Sequence, residues 1–432
     1  MLEQVTGRTA RTRWVLHSAR VLHAAGLIRP AHPIATTRQA RELRRRGPLA
    51  GVVRVAARRW PGAIGLVDDR GALTFGELDR RSNALAWAWR GQGIRQDSAI
   101  GLLCRNHRGP VDAMLAAAKL GAQVVPLPTD LVGERLAAVV QREGLTSIVY
   151  DREFTPVVLA LPDRVNRYLA WTGGSENHSI TIDELIAAAP AHEPPQPAEP
   201  GGITLLGRGH VPRGLPCRIR PAHFAAQFLD RIPMPPGRSV LVAAPLARPA
   251  GLVPFLVALA LGSTAVLARE AHAAQLLTWI VRYRCGALAL TPAVLDELLA
   301  ATFPVALPLR VVVSSGGVLS ADLGNRARAL LGDIVHNWYA PDESLLAAVA
   351  TPADWRAAPG TVGRAPFGCR LVLCDADGKR VDEPGRLGTV HVGNLLAGRL
   401  TPGADPVGDG LVASGAVGHF DRAGRLFLDG RR

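Results

Sequence analysis

Lysine is almost missing from this 432-residue chain: Lys119 and Lys379 are the only two, and nearly all of the positive charge is arginine. Chemistry that needs a lysine has little to draw on here. Cysteine is sparse too. The five (Cys104, Cys217, Cys285, Cys369 and Cys374) are odd in number and form no C-x-x-C pair. That argues against a disulfide framework or a structural zinc site and points to a reducing cytoplasm. The twelve histidines show no H-x-x-x-H or H-E-x-x-H spacing, so no protein metal cage is expected. Ser314 and Ser315 lack the G-x-S-x-G setting of a nucleophile elbow. A secretion signal is also lacking, because Arg8, Arg11, Arg13 and Arg20 break every apolar run before residue 21.

What is present is a large apolar fraction, 48 %, which excludes wholesale disorder. The net charge of +14 is unevenly placed: residues 1–60 hold thirteen arginines against Glu3 and Glu42, and the remaining 372 residues net only +3. A basic leader is attached to a nearly neutral body. Residues 249–268 carry no charge and approach membrane-spanning length, but Gly262-Ser263-Thr264 divides them. We expect a buried helix feeding a buried strand.

The patterning predicts four regions. Residues 1–48 form the helix-prone leader, with Trp14-Val15-Leu16, Val21-Leu22 and Leu27-Ile28 between arginines. It suits either an anionic membrane surface or packing against the body, and no groove-reading or stacking motif accompanies the charge to suggest nucleic acid. Residues 49–200 read as α/β: a hairpin over 64–75, a T-x-x-E capping box at Thr74 and Glu77, then apolar runs at 99–104, 123–127 and 147–150 alternating with helical periods. This region ends in a Pro-rich linker over 187–202. A second α/β block spans 203–365. Residues 366–432 are β-rich, with short strands at 371–374, 388–392 and 426–428 between DADG, DEPG and DRAG turns.

Several segments then become telling in their order. LTFGELDRRSNALA (73–86), VAAPLARPAG (242–251), VVVSSGGVL (311–319), NWYAPDE (337–343), GRLGTVHVGN (385–394) and SGAVGHFDRAGRLFLDGR (414–431) resemble, block by block, the adenylate-forming superfamily. The bacterial long-chain fatty-acid–CoA ligases fit best. The resemblance implies an α/β fold: the large N-terminal domain of an acyl-CoA synthetase, with two α/β subdomains and a small β-rich one. It also implies ATP and Mg2+ as cofactors, coenzyme A as co-substrate, and a fatty acid or other carboxylic acid as partner.

Carried over residue by residue, the resemblance places nucleotide contacts at Arg213, Gly214, Gly316, Gly317, Val318, Tyr339, Asp342, Ala416 and Arg431. The magnesium carboxylate falls at Glu343, and the acyl side at Pro245, Arg248 and Gly251. Several positions depart from the pattern. The phosphate loop, LLGRGHVPRG (205–214), has lost its serine and threonines and carries Arg213 for lysine. Asp342 stands where a phosphate-binding threonine belongs, and would repel an α-phosphate. Ala416 replaces the ribose-binding aspartate, at a cost of about 1.5–3 kcal/mol of nucleotide binding. Arg248 replaces a histidine at the mouth of the acyl tunnel. The sequence ends just after Gly430-Arg431, which implies that the C-terminal domain and its catalytic lysine are absent. The expectation is an acyl-CoA synthetase homologue that is inactive or severely impaired as an isolated chain, with no catalytic residue assigned. The alternatives are a non-catalytic acyl- or nucleotide-binding domain at a membrane surface, or a truncated gene relic.

Overall fold

The computed structural model describes residues 8–28, 31–174, 179–207, 212–215, 221–301, 306–394 and 410–431. The chain packs into two compact units. The first comprises Ile34–Ile219 and Pro245–Glu270; the second comprises Met1–Pro33, Arg220–Ala244 and Ala271–Arg432.

In the first unit, four parallel neighbours line up as Asn166–Trp171, Leu145–Asp151, Ala99–Leu103 and Gln123–Pro126. Ile203–Leu206 extends them in parallel, and Pro212–Leu215 returns antiparallel beside it. Ala99–Leu103 is buried at every residue, as a strand covered on both faces must be. The helix Phe75–Gly91 starts where Thr74 and Glu77 form their reciprocal capping box, and it buries Leu78, Leu85 and Trp89. Ile64–Asp68 pairs antiparallel with Gly71–Thr74 and parallel with Ala265–Leu267.

The uncharged run resolves as expected into the helix Pro249–Ala260 and the strand Ala265–Leu267. Gly262 makes the corner at φ 70°, and a Cβ there would sit 2.6 Å from the Trp60 ring, so only glycine fits. No described helix is long and apolar enough to cross a membrane.

Lys119 is a structural lysine. Its Nζ is buried and donates to Asp79 Oδ1 (2.8 Å), Ser82 Oγ (2.7 Å), Asn83 Oδ1 (2.7 Å) and the Asp79 carbonyl (3.0 Å). This joins the helix Arg108–Leu120 to Phe75–Gly91. Burial alone would raise the Asp79 carboxyl, but Lys119 and Arg54 beside it hold it below the usual carboxylate range.

The described leader is helical over Arg8–Ala24 and from Pro33 onward. In the second unit, Arg8–Ala24 lies against Pro221–Arg231: Trp14 and His223 rings stand 4.2 Å apart and His17 Nε2 meets Asp230 Oδ1 at 2.6 Å. Of the two readings for the leader, packing against the body describes this helix. In the first unit, Pro33–Arg59 is one helical stretch kinked at Gly47 (φ 73°) before Pro48. Glu42 bonds both Arg46 (2.8 Å) and Arg58 (3.2 Å), so the two arms fold back on each other.

The second unit carries parallel strands in the order Val240–Val242, Ala287–Leu290, Val311–Ser315 and Val335–Tyr339, with Ala348–Ala350 antiparallel at the edge. Among the described residues, the tail is an antiparallel sheet of five strands: Arg380–Val381, Arg370–Cys374, Gly388–Gly393, Val412–Phe420 and Leu426–Arg431. Val412–Phe420 has no counterpart in the sequence reading, because Ser414, Gly415, Gly418 and His419 interrupt its apolar alternation.

Candidate functional site

Parallel strands end where ligands gather in open α/β sheets, and the second unit places most of the expected nucleotide residues at such an end. Ser315, last in its strand, lies in register with Trp338, and Gly316 follows at φ 83° where a side chain would be strained. Gly317 continues the bend, and Val318 is 83 % exposed. Tyr339 ends the neighbouring strand.

Beyond Tyr339, the segment 341–346 forms a tight turn. The amides of Ser344 and Leu345 donate to the Pro341 carbonyl at 3.1 and 2.8 Å, and Leu345 is left-handed at φ 58°. Such a conformation costs a leucine about 1–2 kcal/mol. Asn394 holds it in place: its Nδ2 donates to the carbonyls of Ser344 (3.0 Å) and Leu346 (2.6 Å), on either side of Leu345. Asp342 and Glu343 ride on this turn, half-buried.

Tyr339 is not presented as an open face. It is 8 % exposed and belongs to one buried cluster with Ala348, Val362, Val390, Ala416 and Leu426. Its hydroxyl donates to Ser414 Oγ at 3.0 Å, which in turn donates to the Val390 carbonyl at 2.9 Å. Ala416 is 1 % exposed inside the same apolar cluster, and its backbone pairs with Arg431. Ser414 and Asn394 both escaped the sequence analysis, since a serine or asparagine within a strand block carries no periodic signal.

The first unit places the other candidates. Leu205 pairs with Arg213 and Thr204 with Gly214, antiparallel; residues 208–211 and the Arg213 side chain lie outside the described set. Arg248 is half-buried, and its Nη1 donates to the Leu206 carbonyl at 3.1 Å, at the end of the strand Ile203–Leu206. It caps the helix Pro249–Ala260, with its own amide bonded to the exposed Pro245 and its carbonyl accepting from Gly251 (3.0 and 3.1 Å). Asn106 Oδ1 steadies this turn by accepting from the Leu246 amide at 2.8 Å.

One cluster in the first unit was invisible to sequence spacing. Cys104, His107 and Asp151 bring their ligand atoms within 4.8 Å, all buried. His107 Nδ1 accepts from the Gly109 amide (3.0 Å), so Nε2 keeps its proton and gives it to Asp151 Oδ1 at 2.8 Å. Arg105 N–H takes Asp151 Oδ2 at 3.0 Å. A metal would have to displace a proton that has no other nitrogen to occupy, so the trio is a hydrogen-bonded strut. Burial and the Asp151 charge also keep the Cys104 thiol protonated. The described cysteines, Cys104, Cys285, Cys369 and Cys374, are free and buried, and burial pushes Cys285 and Cys369 up to about 12.

The family model described as AMP-binding enzyme matches residues 53–203 and 212–396.

The chain belongs to the AMP-binding enzyme family.

Among relatives, phosphinothricin tripeptide synthetase PhsB of Streptomyces viridochromogenes is 27 % identical over 89 % of this chain and 33 % of its own length. Its companion PhsC is 26 % identical over 80 % of this chain and 31 % of its own length, so this chain spans about a third of either synthetase. A fatty acid–[acyl-carrier-protein] ligase of Streptomyces coeruleorubidus, ScoC, is 24 % identical over 83 % of this chain and 72 % of its own. In structure, the o-succinylbenzoate CoA synthetase of Bacillus subtilis in complex with ATP and magnesium ion superposes with a TM-score of 0.75 at 21 % identity, over 88 % of this chain and 79 % of that one. A benzoate CoA ligase of Burkholderia xenovorans gives 0.75 at 19 % identity, over 89 % and 80 %. These likenesses establish the α/β fold of the N-terminal domain of adenylate-forming enzymes. A fatty acid–carrier ligase and several peptide synthetases are thus among the relatives of this AMP-binding family member.

Proposed function

We propose that this chain is an acyl-CoA-synthetase-type domain that recognises a carboxylic acid but grips ATP too weakly to adenylate it at ordinary rates. The observation that carries the reading is Ala416. By resemblance it occupies the place of the ribose-binding acceptor, and it sits 1 % exposed in an apolar cluster. A methyl group there accepts no hydrogen bond, and the loss of a charge-assisted pair is worth about 1.5–3 kcal/mol, roughly ten- to a hundredfold in affinity. Tyr339, expected among the nucleotide contacts, spends its hydroxyl on Ser414 and is 8 % exposed within the same cluster.

The residues present therefore do not fit a firmly held nucleotide. Glu343 retains the carboxylate that would take magnesium, but Asp342 beside it adds a second negative charge where phosphate would lie. ScoC and the fatty-acid–CoA ligases among the relatives support a fatty acid as the carboxylic acid.

Pyrophosphate release with magnesium-ATP, coenzyme A and C8–C18 acids tests the reading. The expected result is turnover far below about 1–10 per second, and turnover at that level would overturn it. Calorimetry with a fatty acid and with ATP distinguishes a binding domain from an inert one: saturable micromolar acid binding with weak ATP binding is expected.

A further inference from the structure

The arm of the first unit that precedes Gly47 presents a row of arginines that nothing in the fold consumes. Arg38, Arg41 and Arg45 follow Ile34 at spacings of four, seven and eleven residues, which sets all four on one helical face over about 16 Å. All are exposed, Ile34 at 79 %, and Arg44 is exposed beside them. Glu42 is the only acid between residues 34 and 59, and Arg46 and Arg58 occupy it. Glu193, which folds against the same arm, is taken by Arg46 and Arg54. Among the described residues, Arg38, Arg41, Arg44 and Arg45 have no carboxylate partner, so their charge faces solvent uncompensated.

We propose that this face docks on an anionic lipid bilayer, with the guanidiniums on lipid phosphates and Ile34 entering the interface. Charge complementarity carries the argument. Guanidinium forks pair with phosphate oxygens in two-point contacts, and a row of them on a rigid helix meets a plane of phosphates without rearrangement. An exposed isoleucine on the same face, one turn before the first arginine, adds an apolar anchor that suits an interface and has no use on a nucleic-acid backbone. No aromatic residue interleaves the row to stack on bases. This inference stands independently of the nucleotide reading.

The test is co-sedimentation of the full chain with vesicles of phosphatidylcholine alone and of phosphatidylcholine with about one-third phosphatidylglycerol, at ~0.1 M salt. Binding to the anionic vesicles only, weakening as salt rises, is expected. Each basic group near such a surface is worth about a fivefold gain in partitioning, so Arg38→Glu/Arg41→Glu/Arg45→Glu together should lower it at least about a hundredfold. Ile34→Ser should weaken binding several-fold and leave the salt dependence intact. Native circular dichroism and an unchanged melting temperature in the variants establish that folding is preserved. The proposal is overturned if the folded triple variant sediments like the wild type, or if wild type treats the two vesicle types alike. It is equally overturned if the chain prefers polyglutamate or duplex DNA to anionic vesicles at equal charge concentration.

Discussion

The phenol of Tyr339 donates to Ser414 Oγ at 3.0 Å, tying the last residue of a parallel strand to the middle of an antiparallel one. Because Ser414 passes a bond on to the Val390 carbonyl, the chain of donors crosses the buried face of the β-rich tail. Tyr339→Phe removes the first link while preserving the ring. We expect a loss of about 0.5–1.5 kcal/mol in urea unfolding, and no change in the weak ATP affinity measured by calorimetry. A tenfold fall in ATP affinity would show that the hydroxyl serves a nucleotide instead.

Ala416→Asp is the change that would restore a carboxylate at the expected ribose position. In this structure it places a charge among Val390, Leu373 and Leu426. The expected outcome is a stability loss of several kcal/mol by thermal melting, with ATP affinity in the folded fraction rising about ten- to a hundredfold. Tighter ATP binding with an unchanged melting temperature would mean that the pocket opens readily around position 416.

Lys119→Met should cost about 3–5 kcal/mol, because it strips Asp79 of one of its two cations within a buried site. Arg54, on the other Asp79 oxygen at 2.7 Å, sets the lower end of that range. Chemical denaturation reads it directly. Catalysis is not involved, so acid binding in the folded fraction should be unchanged.

His336 supplies a pH dependence. Burial pushes it down to about 4, helped by Arg231 and opposed by its bond to the Ile334 carbonyl. The unfolded chain, titrating near 6.5, binds more protons than the folded one between these values. The stability tied to this site is therefore complete above about pH 6.5 and is lost as pH falls toward 4, by up to roughly 3 kcal/mol. Replacing His336 with Asn should flatten the curve of unfolding free energy against pH across that window; an unaltered slope would place the titration elsewhere.

Much of the architecture was legible in advance for local reasons. The T-x-x-E box at Thr74 and Glu77 started its helix where expected, since its bonds join residues three apart. The uncharged run at 249–268 broke at Gly262 because the corner needs both a positive φ and room for the Trp60 ring. The strand Val412–Phe420 was missed because its neighbours, not its own alternation, hold it in the sheet.

The amino-acid sequence by itself determined which groups are available: two lysines, an alanine at 416, a row of arginines with one acid among them. It also carried the family, because ordered blocks survive in linear form. Only the tertiary structure decided what those groups do. It turned Lys119 inward onto Asp79 and sealed Ala416 and Tyr339 into one apolar cluster. It also spent Glu42 on Arg46 and Arg58, leaving Arg38, Arg41 and Arg45 to solvent. Apart from the i,i+4 pair of Glu42 with Arg46, these meetings join residues from sixteen to about eighty positions apart, and no local spacing encodes them.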